Sequence, residues 1–196
     1  LKQLKMAGLT TSLRSGRHVY HQIANADVAS ALEGLACLSP TDHLTRNNRS
    51  GSNTQLARSC YNHIAGRLGV LMTDRLAASK VLHIRSDVVS PGPQYQAFLN
   101  DIGIEIQPIG GRKPLVKLCL DWTERRHHIS GPLATAIMQK ALDSQWIVRR
   151  TGSRTLTIAD HGFDAFGRWF GLSKDISTVL AMPKSSVDSE PFFSTA

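Results

Sequence analysis

The chain has 196 residues, enough for one large domain or two small ones, and 41% of them are hydrophobic, so it can bury a substantial core. A formal charge of +8 and an isoelectric point near 9.8 suit a polyanionic partner, although many basic proteins bind no nucleic acid. Three widely spaced cysteines argue against a disulfide framework. The sequence shows no signal peptide and no apolar run long enough to span a membrane. Together these features predict a cytoplasmic protein.

The first 24 residues are basic and contain no Asp or Glu. Helical spacing of apolar residues ends at Gly8, a typical helix C-cap, and residues 13–23 then alternate like two strands around a Ser15-Gly16 turn. A helix end followed by a basic hairpin is typical of the back half of a winged helix, whose wing lies along a phosphate backbone. The side chains expected to contact DNA are Lys2, Lys5, Arg14, Arg17 and His18.

Helical periodicity is already present at Leu1. A helix-turn-helix needs a support helix and the N-terminal turn of its recognition helix, which meets the base edges. We therefore expect the chain to be truncated at its N-terminus.

A second helix is predicted over 27–38, with Asp27 as its N-cap. Its apolar stripe can pack against a second copy of the chain or against its own domain. Residues 39–53 are polar and predict a linker at a domain boundary.

A long helix is predicted over 54–78, with Cys60 and His63 on one face, followed by an extended segment over 81–89 and a short helix over 94–102.

A strand is predicted over 115–120. A helix is predicted to start at Asp121 or Thr123, to break or restart at Gly131-Pro132 and to continue to Trp146.

The remainder contains a second basic hairpin over 147–158, a final helix over 160–170 and a polar tail over 173–196 that is predicted to be disordered. Residues 90–104 echo residues 157–172, which gives the second domain a winged-helix-like outline.

Three segments together resemble the ArsR-type winged-helix transcriptional regulators, in a longer subgroup with a C-terminal domain. The first segment is the helix end and wing of residues 4–20. The second is residues 57–70, which contain Arg58-Ser59-Cys60-Tyr61-Asn62-His63. The third is residues 119–126, which contain Cys119-Leu120-Asp121-Trp122 and are followed later in the chain by Trp146-Ile147-Val148-Arg149-Arg150. The resemblance implies a homodimeric regulator whose DNA affinity changes with a bound effector.

The expected fold is α+β and mainly helical, with an incomplete N-terminal winged helix and a C-terminal helical domain that carries a winged-helix-like β-hairpin. The expected boundaries are a remainder of the DNA-binding domain with a dimer helix over 1–38, a linker over 39–53, an effector domain over 54–172 and a tail over 173–196.

The sequence is compatible with two kinds of effector site, one for a metal ion and one for an organic molecule. Thiolate and imidazole are good ligands for soft metal ions. A metal could be bound by Cys60 and His63 together with Cys119 and one of the neighbouring histidines His127 and His128, and the set expected here is Cys60, His63, Cys119 and His128. Their spacing matches no recognised zinc finger, however, and buried cysteines are often packing residues. An organic effector would instead be held near Tyr61, His63, Asp121, Trp122 and Arg125.

No pattern predicts an enzyme. Gly110-Gly111-Arg112-Lys113 lacks the spacing and the hydroxyl residue of a phosphate-binding loop. The sequence therefore predicts an ArsR-type DNA-binding transcriptional regulator that forms a homodimer and responds to an unknown effector. The alternative is a small-molecule- or metal-binding module that has lost specific DNA binding.

Overall fold

The computed structural model describes residues 1–38, 56–106 and 114–172. The predicted linker over 39–53, the predicted tail over 173–196 and the loop 110–113 lie outside these residues. None of the helices in the described ranges has the length and apolarity that a membrane crossing requires.

The N-terminal segment consists of a short helix, a hairpin and a longer helix. These are α1 (Lys2–Met6), β1 (Thr10–Ser15), β2 (His18–Ile23) and α2 (Ala26–Ala36). Ser15 lies opposite His18 in the antiparallel pair, so the predicted hairpin is confirmed.

The caps of these helices match the prediction only in part. Gly8 has a left-handed φ of 71° after α1, as expected of a residue that ends a helix. The N-cap of α2 is Asn25, whose side chain accepts a hydrogen bond from the Val28 N–H at 3.0 Å, so the choice of Asp27 is wrong.

The rest of the described chain contains the same element order twice: hairpin, helix, hairpin, helix. The first repeat (58–102) contains β3 (Arg58–Cys60), β4 (His63–Ala65), α3 (Arg67–Ala78), β5 (Leu82–Arg85), β6 (Val88–Pro91) and α4 (Tyr95–Ile102). The second repeat (117–170) contains β7 (Lys117–Leu120), β8 (His127–Ser130), α5 (Gly131–Asp143), β9 (Ile147–Arg149), β10 (Leu156–Ile158) and α6 (Asp160–Phe170).

The two repeats share a short sequence at the junction of their first hairpin and first helix. His63-Ile64-Ala65-Gly66 in the first corresponds to His128-Ile129-Ser130-Gly131 in the second, and a leucine follows each glycine after one residue. Both glycines have a left-handed φ, 78° for Gly66 and 80° for Gly131. That conformation is inexpensive only for glycine, so it fixes how strand becomes helix in both repeats.

The repeats pack on each other reciprocally. Helix α3 contacts β8 of the second repeat, and α5 contacts β4 of the first. Likewise Arg58 of β3 forms an antiparallel bridge with Thr155, the residue before β10, and β6 contacts β7. Each repeat therefore packs one of its helices against a strand of the other repeat.

One apolar core runs through both repeats. Its helical members include Leu68, Met72, Leu133, Ile137 and Phe166, all of them at most 2% exposed. Since both repeats contribute to the same core, each depends on the other for burial of its apolar face.

Two helices begin later in the structure than the sequence predicted. Residues 58–65 form a hairpin, and the helix predicted over 54–78 begins only at Arg67. Residues 121–126 form a turn in which the Asp121 carboxylate accepts the N–H groups of Thr123 and Glu124, so the helix begins only at Gly131. The predicted elements at 81–89, 94–102, 115–120, 147–158 and 160–170 are confirmed.

Candidate functional site

Four buried side chains with metal-ligating atoms meet between the two repeats. They are Cys60, His63, Cys119 and His128, and one ligand atom of each lies within 4.8 Å of the others. They are the same four residues that the sequence offered as a metal-binding set.

Hairpin pairing brings these residues together. Cys60 lies opposite His63 in the β3–β4 pair, and Cys119 lies opposite His128 in the β7–β8 pair. The expectation that Cys60 and His63 share a helix face is therefore wrong. Each repeat instead supplies one cysteine and one histidine from the same position of its first hairpin.

The two imidazoles face each other through their Nε2 atoms, which are 3.0 Å apart. Their outer nitrogens point towards oxygen atoms: His63 Nδ1 lies 3.5 Å from Asn62 Oδ1, and His128 Nδ1 lies 3.7 Å from Asp121 Oδ2. The His63 distance is at the limit for a hydrogen bond, and His128 Nδ1 makes no hydrogen bond within the described residues.

The two thiols interact with each other. A hydrogen bond between Cys60 and Cys119, together with burial, raises the pKa of Cys60 to about 12. The same hydrogen bond lowers the pKa of Cys119, so Cys119 loses its proton first. Cys37 stands apart from this pair, and its Sγ is 3.7 Å from the carbonyl oxygen of Asp121.

A buried ion pair lies next to the cluster. Arg58 Nη2 donates to Asp121 Oδ1 at 2.9 Å, and both side chains are fully buried. Asp121 Oδ2 accepts the Gly66 N–H at 2.7 Å, and Arg58 Nη1 donates to Thr123 Oγ1 at 2.9 Å. Burial alone would raise the pKa of Asp121, but Arg58, His128 and Thr123 outweigh it and hold that pKa well below its usual range.

Helix α2 connects the N-terminal segment to this centre. Its buried Glu33 accepts a hydrogen bond from Arg154 Nη1 at 3.1 Å and lies 3.7 Å from Arg58 Nη2. Ser30 of the same helix hydrogen-bonds with Cys119. A cleft of about 850 Å³ lies along α2, and three of the four cluster residues line it.

The residues proposed for an organic effector do not form one group. Tyr61 and Trp122 line a second cleft, of about 810 Å³, on the Glu33 side of α2. His63 belongs to the Cys–His cluster, and Asp121 is fully buried in its ion pair with Arg58. Arg125 lies in the 121–126 turn with a left-handed φ of 58°.

The residues proposed for DNA contact are all exposed. Arg14 near the end of β1 and His18 at the start of β2 flank the turn of the hairpin, and Arg17 lies in that turn. Lys2 and Lys5 lie on α1, one helical turn apart.

Comparison with known proteins gives a family. The chain is 33% identical over 172 residues to YdfF of Bacillus subtilis (strain 168), itself an uncharacterized HTH-type transcriptional regulator; the match covers 85% of this chain and 75% of the relative. The chain belongs to the HTH-type transcriptional regulators. No family model and no solved structure matches the chain.

Sequence reasoning about this regulator missed the residues that frame the cluster. Arg58 and Glu33 went unnoticed because ionisable side chains are seldom buried, and nothing local marks one that is. The repeated His-Ile-x-Gly sequence was the available signal, since it places His63 and His128 at equivalent positions.

Proposed function

We propose that this regulator is of the ArsR type, binds duplex DNA through the β1–β2 hairpin, acts as a homodimer and responds to an effector. The observation that carries the proposal is the hairpin itself, which is exposed, basic and part of a 24-residue segment without Asp or Glu.

The register of the hairpin supports a role as a phosphate-contacting arm. Arg14 pairs with Val19 and Ser15 with His18, so the basic side chains cluster at the tip around Arg17. With no carboxylate in the segment to pair with them, these cations are available to a polyanion. Contacts of this kind position a protein on DNA but do not read its sequence.

A second copy of the chain is the proposed partner of α2. Leu32, Leu35 and Leu38 are 48%, 61% and 80% exposed, although the opposite side of the same helix is docked through Glu33. An apolar face of this kind beside a DNA-binding arm suits a two-fold dimer on a two-fold operator. Sedimentation of the full chain and of a Leu32→Glu, Leu35→Glu variant tests this, and a monomeric wild-type chain would contradict it.

The DNA interface is tested by removing two of its charges. We expect Arg14→Ala with Arg17→Ala to weaken binding to operator and random duplexes alike and to reduce the slope of log K against log salt by about 1.8 per chain, at roughly 0.9 per phosphate contact. The matched control is Arg149→Ala with Arg150→Ala, which removes two exposed arginines from the β9–β10 hairpin.

Fluorescence anisotropy over a salt series measures both variants. Equal losses for the two pairs of substitutions would show that binding follows net charge, and the hairpin would have no special role. Loss of operator binding with unchanged random-DNA binding would assign base reading to the hairpin instead.

A further inference from the structure

We propose that Cys60, His63, Cys119 and His128 form a four-coordinate site for Zn²⁺ that joins the two repeats. The proposal stands on the geometry of the cluster and does not depend on DNA binding.

The donor set suits zinc. Two thiolates and two imidazoles form a ligand shell typical of structural Zn²⁺ sites, which are tetrahedral and have no open position. Four ligands from two hairpins fill that shell completely. The site is therefore suited to holding the fold together and not to binding a substrate.

The distances are close to those that zinc requires. With Zn–S near 2.3 Å and Zn–N near 2.0–2.1 Å, tetrahedral ligands lie roughly 3.3–3.8 Å from one another. The four ligand atoms lie within 4.8 Å of one another, and the two Nε2 atoms are 3.0 Å apart. Shifts of about 1 Å or less would complete the shell, and side-chain rotations within the hairpins can supply them.

The surroundings of the histidines favour a cation between them. Oxygen atoms lie behind both outer nitrogens: Asn62 Oδ1 is 3.5 Å from His63 Nδ1, and Asp121 Oδ2 is 3.7 Å from His128 Nδ1, which makes no hydrogen bond within the described residues. The two Nε2 atoms lie within hydrogen-bond distance at 3.0 Å, so without a metal one ring donates a proton to the other, and a Zn²⁺ ion bound between them would take the place of that proton. A carboxylate behind a ligating histidine is a common outer-shell arrangement of zinc sites.

A purely apolar packing role does not account for this arrangement. All four side chains are buried, at 5% exposure or less. Packing cysteines need no partners, yet here two buried imidazoles place their Nε2 atoms 3.0 Å apart, and ligand atoms of both cysteines lie within 4.8 Å of ligand atoms of both histidines. The equivalent positions in the two repeats, each Cys opposite a His, give a symmetric four-ligand shell.

The test uses the full chain, purified under reducing conditions, and measures bound metal by mass spectrometry. We expect one equivalent of zinc per chain. Replacement with Co²⁺ should give thiolate-to-cobalt charge-transfer bands and the intense d–d bands of tetrahedral coordination, and this readout on the wild-type chain needs no variant to fold.

Variants then identify the ligands. Cys60→Ser and Cys119→Ser should each lower zinc affinity at least tenfold and alter the cobalt spectrum, since one thiolate is lost. Cys37→Ser is the matched control, because Cys37 lies outside the cluster, and it should bind metal like the wild type.

Three results would overturn the proposal. One is a reduced, folded chain that binds neither zinc nor cobalt. Another is a Cys60–Cys119 disulfide that forms in place of metal binding. The third is a cobalt spectrum without thiolate bands, or one that Cys37→Ser changes as much as Cys60→Ser does. None of these results would bear on the DNA-binding proposal, which the salt-slope experiment tests separately.

Discussion

The buried Arg58–Asp121 pair should contribute far more to stability than an exposed pair of the same chemistry. Asp121→Asn keeps the side-chain size but removes the negative charge. Among the described residues, Glu33 at 3.7 Å is then the carboxylate left beside the fully buried Arg58 guanidinium. It also turns an acceptor for the Gly66 N–H into a mixed donor and acceptor. Breaking a buried pair in this way costs about 3–5 kcal/mol.

The exposed pair of Arg126 and Asp74 supplies the control. Its Nη2–Oδ1 distance is 2.8 Å, against 2.9 Å for the buried pair, but its side chains are 45% and 43% exposed. Asp74→Asn should therefore cost less than about 1 kcal/mol.

Urea unfolding and thermal melts followed by far-UV circular dichroism compare the two variants in one buffer, with and without added zinc. For a chain of this size, 3–5 kcal/mol corresponds to a fall in Tm of roughly 6–20 °C. The reasoning is refuted if the two variants melt together, or if Asp121→Asn costs less than about 1 kcal/mol.

The same pair predicts a pH dependence. The pKa of Asp121 in the fold is held below its value in the unfolded chain, which is about 3.9. Its stabilising contribution is therefore fully present above that value and is lost as the pH falls towards the lower pKa of the folded state. The stability difference between wild type and Asp121→Asn should be constant above about pH 5 and shrink in more acidic buffer.

Further predictions concern packing and caps, and thermal melts check each of them. Gly162→Ala should cost about 1–3 kcal/mol because its Cβ would lie 2.1 Å from the Trp146 carbonyl oxygen. Gly34→Ala, in an open helical position, should instead stabilise by about 0.5–1 kcal/mol. Phe166→Ala should cost about 3–5 kcal/mol, since the ring is fully buried, and Asn25→Ala about 1 kcal/mol through loss of a helix cap. Wild-type stability in Gly162→Ala, or destabilisation by Gly34→Ala, would contradict the packing described for these positions.

Elements with a strong local signal were predictable from the sequence. The β1–β2 and β9–β10 hairpins each combine extended segments with a glycine-containing turn, and both are where they were expected. The helices predicted over 94–102 and 160–170 end just before Gly103 and Gly171, and both glycines have left-handed φ values.

The errors lie where contacts between the repeats decide the structure. Strand β3 has only three residues, too few to show alternation, and apolar residues around it recur at helical spacing. Its partner beyond the hairpin is Thr155, which is distant in sequence from Arg58. No local sequence pattern predicts that pairing.

The Cys–His cluster was predictable in composition but not in arrangement. The sequence identified Cys60, His63, Cys119 and His128 from their ligand chemistry alone. How they converge depends on the β3–β4 hairpin and on strand β8, which had been interpreted as helical, so the equivalence of the two Cys–His pairs became visible only in the fold.

The equivalence of the two repeats has a kinetic consequence. One repeat alone presents a cysteine and a histidine, which is half of the proposed zinc shell, and it could complete that shell only by meeting another copy. Here one polypeptide carries both halves, so the second pair of ligands arrives at a fixed effective concentration set by the intervening chain. Closure of the cluster is thus a first-order event, and its rate should not change on dilution of the protein.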